Sequence, residues 1–472
     1  MSLISKITSM NHLRTCYSAQ RLTLATLVVS IACSAAVAAE TSQQVEKFPD
    51  GKTKATYSLN EEGVRDGVYK EFYEDGALKV QGIYRKGKLE GLTKEQYPSG
   101  KLKQKRTYKK GVLSGKYSEH DEKGIPTLTA VYRDGKLHGL KKQLEGRKSI
   151  SEEIWADGKL LLPKSPALLK KQLKAISKAK IETVGEMPET LDAVVNKVND
   201  ASAHELRVSA MRLLMMYRAA CNLPYEDMVL DRTCIAHAEA AGMVLAKLGK
   251  PSHVPPNPGV SEELYQFGLV GTKHSNLRHG ADDATISSSV RDYMWDTDHP
   301  ANVVRLGHRR WCLNPEMRKS GFGKTVVDQY SSMLTMWAFD NSRKEFPDYD
   351  FFAFPARGVQ PISLMFPKKP CAWSTSFNPA KYRMPSDSEL GVKVVAARFD
   401  PKKLRLVLDD KPYELEQVHV SIEQYSYPPA VIFQPKDPEY RPGKSYWVEI
   451  TGVKNADGTS AEIGYLVSFA KF

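Results

Sequence analysis

Glycine recurs at a fixed interval of 24 residues through the first third of this 472-residue chain. One set of these glycines comprises Gly67, Gly91, Gly115 and Gly139, and the tyrosines that share the interval are Tyr84, Tyr108 and Tyr132. Fixed periods of this length indicate stacked supersecondary units, and each unit is too short for a pair of helices. Aromatic residues between glycine turns favour one β-hairpin per unit. We therefore expect an elongated β-hairpin repeat array over residues 45–160.

The unit reads Tyr-x-x-Gly-x-x-x-Gly, and with this pattern the array resembles MORN-variant repeats over about residues 50–160. The resemblance implies an interaction or spacer module and no chemistry. Residues 41–180 hold 31 Lys and Arg against 18 Asp and Glu, whereas residues 181–472 hold 34 against 36. A basic surface outside the cytoplasm favours anionic partners such as lipid headgroups or cell-wall polymers, although it can also serve solubility alone. No nucleic-acid partner is expected.

The N-terminus has the order of a secretory signal peptide. Lys6, Arg14 and Arg21 precede an apolar run at residues 22–32, and small residues follow at 36–39. We expect cleavage of residues 1–39 rather than an N-terminal anchor, because the run is far shorter than the ~20 residues that span a bilayer. The mature protein would then be secreted or periplasmic and not transmembrane.

Four cysteines lie beyond this segment, at Cys221, Cys234, Cys312 and Cys371. An oxidising compartment permits disulfides, and the sequence alone does not choose between the connectivities. The short separation of Cys221 and Cys234 makes that pair the preferred one. Free buried thiols are the alternative.

Residues 161–205 are basic, with apolar residues at helical spacing, which predicts a helical linker. A membrane-surface helix is the alternative. Residues 206–342 then predict a buried helix up to Ala220 and a second helix between an Asp231 N-cap and Gly249. His253 follows on a loop that prolines stiffen, which suits a ligand or a base. A serine run from Ser287 predicts the cap of a third helix.

The block from Gly307 to Gly323 points most directly to chemistry. Gly307 predicts a tight turn before His308, and the later glycines indicate a strand with close backbone approach. Asp296 and Asp298 lie twelve and ten positions before His308. A carboxylate could therefore reach the imidazole, as a shared metal ligand or as the group that fixes its tautomer. A purely structural histidine is the alternative.

Taken in order, Tyr217-Arg218, His253, Asn276, Tyr293-Met294 and the Gly307 block resemble the CAP superfamily over about residues 206–342. The resemblance implies an α-β-α sandwich with a central cleft, in which many members place two histidines and two acidic residues that can hold zinc or another divalent metal. It assigns metal binding to His253, His308 and Asp296, and it places Ser275, Asn276, Asp298 and Arg309 along the cleft. Ser275 stands where the family commonly has a glutamate, which removes one expected acid.

Residues 343–472 alternate apolar and polar positions in short runs between turns, which predicts an all-β Ig-like sandwich. The whole chain is therefore expected to be multidomain: repeat array, CAP-like α-β-α sandwich, Ig-like sandwich. The expected function is a secreted binding or scaffold protein whose partner is a protein, a lipid or a cell-wall ligand. A metal-assisted hydrolase of peptide, cell-wall or nucleic-acid bonds is the alternative, and the missing glutamate disfavours it because no general base stands beside a metal-bound water.

Overall fold

The computed structural model describes residues 42–281, 283–296, 300–345, 348–365, 371–400, 403–422 and 428–472. The expected signal peptide and Asp298 lie outside these residues. Within them the chain is multidomain and rich in strands. None of the described helices is long and apolar enough to cross a membrane.

The first part is one antiparallel sheet of thirteen strands, in which eleven strands are neighbours in chain order. These strands are β1 (Ser42–Lys47), β2 (Thr53–Leu59), β3 (Gly67–Phe72), β4 (Leu78–Arg85), β5 (Lys88–Leu89), β6 (Gly91–Gln96), β7 (Leu102–Lys109), β8 (Val112–His120), β9 (Pro126–Arg133), β10 (Lys136–Leu137), β11 (Gly139–Glu145), β12 (Lys148–Ala156) and β13 (Lys159–Leu162). The short strands β5 and β10 pair only with β4 and β9. The sheet confirms the expected hairpin array.

Turn glycines join each hairpin to the one before it. The backbone N–H groups of Gly87, Gly111 and Gly135 donate to the carbonyls of Arg65, Leu89 and Leu113, each over 2.8 Å. All three glycines have a positive φ, which other residues adopt only with strain. The glycine spacing seen in the sequence is therefore the spacing of inter-hairpin hydrogen bonds.

Lysines and glutamates of this sheet form separate rows of cross-strand partners. One continuous row of cross-strand partners, which we call the lysine row, consists of Lys70, Gln81, Lys94, Lys105, Ser118, Thr129 and Lys142. The next row along points to the opposite face and contains Glu71, Glu95 and Glu119. Glu71 bonds Lys79 at 2.7 Å and Glu95 bonds Lys103 at 2.9 Å, so these two acids are neutralised.

The middle part holds all eight described α-helices and two three-stranded sheets. The helices are α1 (Pro166–Ile176), α2 (Asp192–Asn199), α3 (Ala201–Ala220), α4 (Arg232–Leu248), α5 (Glu262–His274), α6 (Ile286–Trp295), α7 (Pro300–Arg305) and α8 (Gly307–Cys312). The strands are β14 (Thr183–Val184), β15 (Val229–Asp231), β16 (Ser275–Ala281), β17 (Lys319–Ser320), β18 (Phe322–Asp328) and β19 (Ser331–Trp337). Helix α4 has the expected Asp231 and Gly249 caps.

Two details of this part differ from the sequence prediction. Residues 161–205 contain helices, but they also pair β14 with β15 and bury Ile176 and Val194 in the main hydrophobic cluster. The segment is therefore part of the folded body and not a free linker. The N-cap of α6 is Thr285, and Ser288 from the serine run completes a capping box with it.

The last part has a four-stranded sheet, a five-stranded sheet and a strand pair. Its strands are β20 (Phe351–Phe354), β21 (Gly358–Pro361), β22 (Trp373–Phe377), β23 (Tyr382–Arg383), β24 (Gly391–Asp400), β25 (Arg405–Pro412), β26 (Leu415–Ser421), β27 (Ala430–Pro435), β28 (Ser445–Thr451), β29 (Lys454–Asn455) and β30 (Ile463–Ala470), with a 3-10 turn at Ile362–Leu364. One hydrophobic cluster continues from α3 through this part to Phe469. A second cluster joins Ile154 of the repeat sheet to Trp447 of β28.

All four cysteines of the described residues are free and buried, so the preferred Cys221–Cys234 disulfide is not formed. Cys221 ends α3, whereas Cys234 lies in the first turn of α4, where the two thiols serve separate packing sites. Burial raises the pKa of the Cys221 thiol to about 12. These thiols behave as small apolar side chains.

Candidate functional site

The helix that carries His308 follows a residue with left-handed backbone geometry. Leu306 has a φ of 50° and caps α8, whereas Gly307 has no positive φ. The predicted glycine-dependent turn at Gly307 is therefore wrong by one residue. Leu306 is fully buried in a small apolar cluster with Ala372 and Ile432, and this packing offsets the strain of its backbone.

Asp296 holds the imidazole of His308 in one orientation. It ends α6 in the left-handed conformation, with φ 56° and ψ 40°, a geometry that aspartate tolerates better than most residues. The Nδ1 atom of His308 lies 2.9 Å from Oδ1 of the buried Asp296 carboxylate. The other oxygen, Oδ2, accepts from the Arg309 backbone N–H at 3.3 Å. A carboxylate at this distance favours the tautomer of His308 that carries its proton on Nδ1.

Arg309 lies behind the histidine and away from the cleft, which corrects its expected position. The guanidinium is fully buried. It donates to the carbonyls of Met294 at 2.6 Å, Trp295 at 2.9 Å and Ala372 at 2.7 Å. Burial lowers the pKa of Arg309. The side chain fastens the end of α6 to the strand region that begins 63 positions later along the chain.

His253 is fixed to helix α5 by two reciprocal hydrogen bonds. Its Nδ1 lies 2.8 Å from the carbonyl oxygen of Thr272, and the Thr272 hydroxyl donates to the His253 carbonyl at 3.1 Å. A carbonyl can only accept, so Nδ1 carries the proton and Nε2 is left as an acceptor. Burial lowers the pKa of His253 below its ordinary value of 6.5, the Thr272 carbonyl opposes this, and nearby His308 lowers the pKa further.

His253 and His308 line the same cleft, which has a volume of about 450 Å³. Its other lining residues include Lys273, Asn276, Asn302, Arg305, Trp311 and Phe339. The rings of Trp311 and Phe339 stack with centroids 3.7 Å apart and form an apolar wall. The cleft therefore combines two imidazoles, cationic side chains and an aromatic surface.

The remaining cleft residues expected from the sequence have different fates. Asn276 lines the cleft and its amide donates to the His308 carbonyl at 3.1 Å, so it supports the histidine segment. Ser275 is fully buried at the end of α5 and lies outside the cleft lining. Its hydroxyl has no hydrogen-bond partner among the described residues. Asp298 lies outside the part of the chain that the structure describes.

The described residues fit a divalent metal only in part. Two imidazoles face one cleft, but the Asp296 carboxylate is turned to Nδ1 of His308, the nitrogen away from a ligand that binds at Nε2. Among residues 42–472 as described, no group of three histidine, cysteine or acidic side chains is placed to hold a metal ion. Zinc coordination usually takes three or four protein ligands. Of the three predicted metal ligands, His253 and His308 line the cleft. The third, Asp296, contacts Nδ1 of His308.

A second, smaller cavity of about 240 Å³ is also lined by His308. Asp296, Tyr293 and Asn302 line it, and Asn302 also lines the larger cleft. The rings of Tyr293 and His308 are 5.3 Å apart. His308 therefore lines both cavities.

Sequence reasoning missed Thr272, Asn302 and Phe339, each of which touches a cavity or a histidine. Thr272 and Asn302 stand in no motif. Phe339 follows the aromatic end of β19, but nothing local showed that its ring would stack on Trp311. The stacking of Phe339 on Trp311 depends on the tertiary fold, so a short stretch of sequence does not predict it.

The comparisons with known proteins bear on the repeat array. A family model described as a MORN repeat variant matches residues 65–86 and 89–110. No curated protein matches the chain. Among solved structures, a mutant of S. aureus TarM in complex with Fondaparinux, alpha-GlcNAc-glycerol and UDP is similar over 29% of this chain and 24% of its own, at 14% identity and a TM-score of 0.18. Residues 65–110 of the N-terminal array thus contain two MORN-variant repeats, as the sequence predicted.

Proposed function

We propose that this chain is a secreted or periplasmic binding protein whose CAP-like middle part holds a small ligand between His253 and His308. The observation that carries the proposal is that the two imidazoles, 55 positions apart, line one cleft while each is tied at Nδ1. Pre-oriented rings bind a ligand with little loss of side-chain entropy. In the same proposal, residues 343–472 are an Ig-like sandwich that supports the cleft.

The cleft favours a ligand with an apolar body, a hydrogen-bond donor for His253 and an acceptor for Lys273. Trp311 and Phe339 offer stacked rings, and Lys273 adds a positive charge at the cleft lining. His253 presents an acceptor nitrogen at neutral pH, because burial favours its uncharged form. Polar groups at fixed positions in a mostly apolar cavity are typical of small-molecule sites.

Native mass spectrometry of the mature protein tests this proposal. We expect a bound small molecule in the wild type that is lost from both His253→Gln and His308→Gln. His204→Gln is the control, since His204 lies on α3 outside the cleft lining. Identical spectra for all four proteins would refute the cleft. Zinc measured on the same samples tests the metal prediction, which fails if zinc is absent or survives both cleft substitutions.

A hydrolytic function is the second candidate, and the hydrogen bond between Asp296 and His308 is the observation that favours it. A carboxylate that holds Nδ1 of a histidine stabilises the protonated ring and leaves Nε2 to take a proton from water. This candidate rests on the histidine alone, because no three possible metal ligands come together among the described residues. The test is turnover of peptide, glycan and nucleic-acid substrates by the wild type and by the double variant His253→Ala/His308→Ala. Equal activity of the two proteins would refute hydrolysis at this site.

The lysine row supports an anionic partner for the repeat array, either lipid headgroups or a cell-wall polymer. Lys94 and Lys105 are direct cross-strand partners, and like charges in this position repel each other. Lys70 lies two strands away in the same row. An anion placed over these ammonium groups would relieve the repulsion, so the row is better suited to a bound partner than to the isolated chain.

A further inference from the structure

A cavity of about 610 Å³ lies where the end of the repeat sheet meets the five-stranded sheet. Lys159 and Leu160 of β13 form one side, and Trp447 and Glu449 of β28 form another. Arg357, just before β21, and Glu462, just before β30, also line the cavity. Cavities between domains are common ligand sites. This cavity shares no lining residue with the cleft of His253 and His308.

Arg357 is the group in this cavity that the fold leaves unexplained. Its Nε atom is buried without a hydrogen-bond partner, and its guanidinium forms no ion pair with the described residues. Its guanidinium carbon lies 4.5 Å from the centroid of the Phe351 ring, and the carboxylates of Asp350 and Glu153 act on its charge from farther away. Burial lowers the pKa of Arg357. The buried Nε atom is costly, because it has lost water and has gained no acceptor in its place.

Other buried arginines of this protein show how the fold treats a guanidinium that has only a structural role. Arg218 donates to the carbonyls of Cys312 at 3.0 Å and Asn314 at 2.8 Å. Arg207 bonds Glu239 at 2.7 Å and the Phe322 carbonyl at 3.0 Å. Arg309 reaches three carbonyls. Arg357 differs from these three, because its Nε has no acceptor among the described residues and the side chain lines a cavity.

We propose that this cavity binds a small organic carboxylate, with the carboxylate on Arg357 and an apolar or aromatic body against Trp447 and Leu160. The planar guanidinium fork matches a carboxylate in two parallel hydrogen bonds. The Trp447 ring is held in place because its indole N–H donates to Glu449 at 2.9 Å. Lys159 adds a second positive charge to the lining.

The acids in the lining select a monoanion over a dianion. Glu449 and Glu462 both line the cavity and would repel the second charge of inorganic phosphate more than the single charge of a carboxylate. Removing one of these acids without touching Arg357 should therefore strengthen carboxylate binding. This expectation separates the proposal from a general attraction of anions to the basic repeat array.

The test is titration of the full mature chain with benzoate, acetate and inorganic phosphate, followed by calorimetry and by thermal unfolding. We expect benzoate to bind more tightly than acetate, and phosphate not to raise the Tm. Arg357→Met should weaken benzoate binding about tenfold or more, because the charged hydrogen bonds are lost. The matched control is Arg398→Met on β24, whose side chain is 78% exposed. Equal benzoate affinity in the Arg357 and control variants would overturn the proposal.

Two further variants keep the outcome decisive if Arg357→Met folds poorly. Glu462→Gln should tighten benzoate binding, and unchanged or weaker binding would count against the site. His253→Gln should leave benzoate binding unchanged, and its loss there would place benzoate in the histidine cleft instead. Without ligand, a well-folded Arg357→Met is expected to have a Tm a few degrees higher than the wild type, since it no longer buries an Nε donor that lacks an acceptor. A lower Tm would mean that Arg357 serves the fold.

Discussion

In the repeat array each hairpin is tied to the preceding one by a backbone hydrogen bond from a turn glycine, such as Gly111 to Leu89. Around the cleft, by contrast, Arg309 joins α6 to residues 63 positions away. The array repeats one short-range contact many times, whereas the cleft depends on a few contacts between distant segments. Loss of one contact should therefore be local in the array and far-reaching around the cleft.

The array and the cleft also differ in how many of their side chains are buried. The array is a single sheet with few fully buried side chains, among them Ala55 and Ala130. The cleft rests on one large hydrophobic cluster that extends from α3 to β30. The array can change its surface charge at little cost in stability, but the cleft cannot exchange its buried polar groups so freely.

Arg309→Ala should have the largest effect on stability. The substitution leaves the carbonyls of Met294, Trp295 and Ala372 without their donor in a buried site. We expect a loss of about 3–5 kcal/mol in the free energy of unfolding. Urea unfolding followed by tryptophan fluorescence measures it. Arg398→Ala, at an exposed ion pair, is the control, and a similar loss there would show that the buried network is not special.

Gly115→Ala is the corresponding change in the array and should cost less. Gly115 has a φ of 127°, and a Cβ there would lie 2.9 Å from the Cβ of Thr107. We expect a cost of about 1–3 kcal/mol, confined to neighbouring strands. Hydrogen exchange should quicken in β7, β8 and β9 and stay unchanged in α8. The neighbouring change Lys116→Ala is the control. Faster exchange in α8 as well would mean that array and cleft unfold as one unit.

Lys94→Gln should change binding with almost no change in stability. Removal of one of two opposed lysines relieves repulsion, so the Tm should stay equal or rise slightly. Binding to phosphatidylglycerol vesicles at low salt should weaken about fivefold, since each lysine near an anionic surface contributes about 1 kcal/mol. Lys141→Gln is the control, because that ammonium already bonds Glu153 at 3.1 Å. Equal losses, or binding that salt does not weaken, would remove the lysine row as the docking surface.

The contrast between local and distant contacts also explains what the sequence could predict. The array was predictable because its period, its turns and its inter-hairpin bonds all repeat within 24 residues. Helix α4 was predictable from Asp231 and Gly249, which act on the backbone next to them. The pairing of Asp296 with His308 was also expected, since only twelve positions separate them.

The errors concern residues whose roles depend on distant partners. Arg309 was expected in the cleft, but the carbonyl of Ala372 draws it into the core. Gly307 was expected to make the turn, but burial of Leu306 against Ala372 places the left-handed geometry one residue earlier. Thr272 escaped attention because its partner, His253, is brought to it by the tertiary fold. None of these contacts can be predicted from the residues next to it in the sequence.

The pH dependence of stability should show the smallest difference between the two regions. Burial lowers the pKa of His253 below its ordinary value, so the unfolded chain takes up a proton that the native ring resists. Stability should therefore be highest above about pH 6.5 and fall as the pH drops below it. In His253→Gln this loss should be smaller, as measured by the Tm between about pH 8 and about pH 5.

His120 of the array has a pKa that burial also lowers, which provides a matched control for position. His120→Gln should reduce the acid loss of hydrogen-exchange protection in β8 alone, whereas His253→Gln should reduce it around α5 and α8. Reduced acid sensitivity throughout the molecule in either variant would show that the array and the cleft share one cooperative transition.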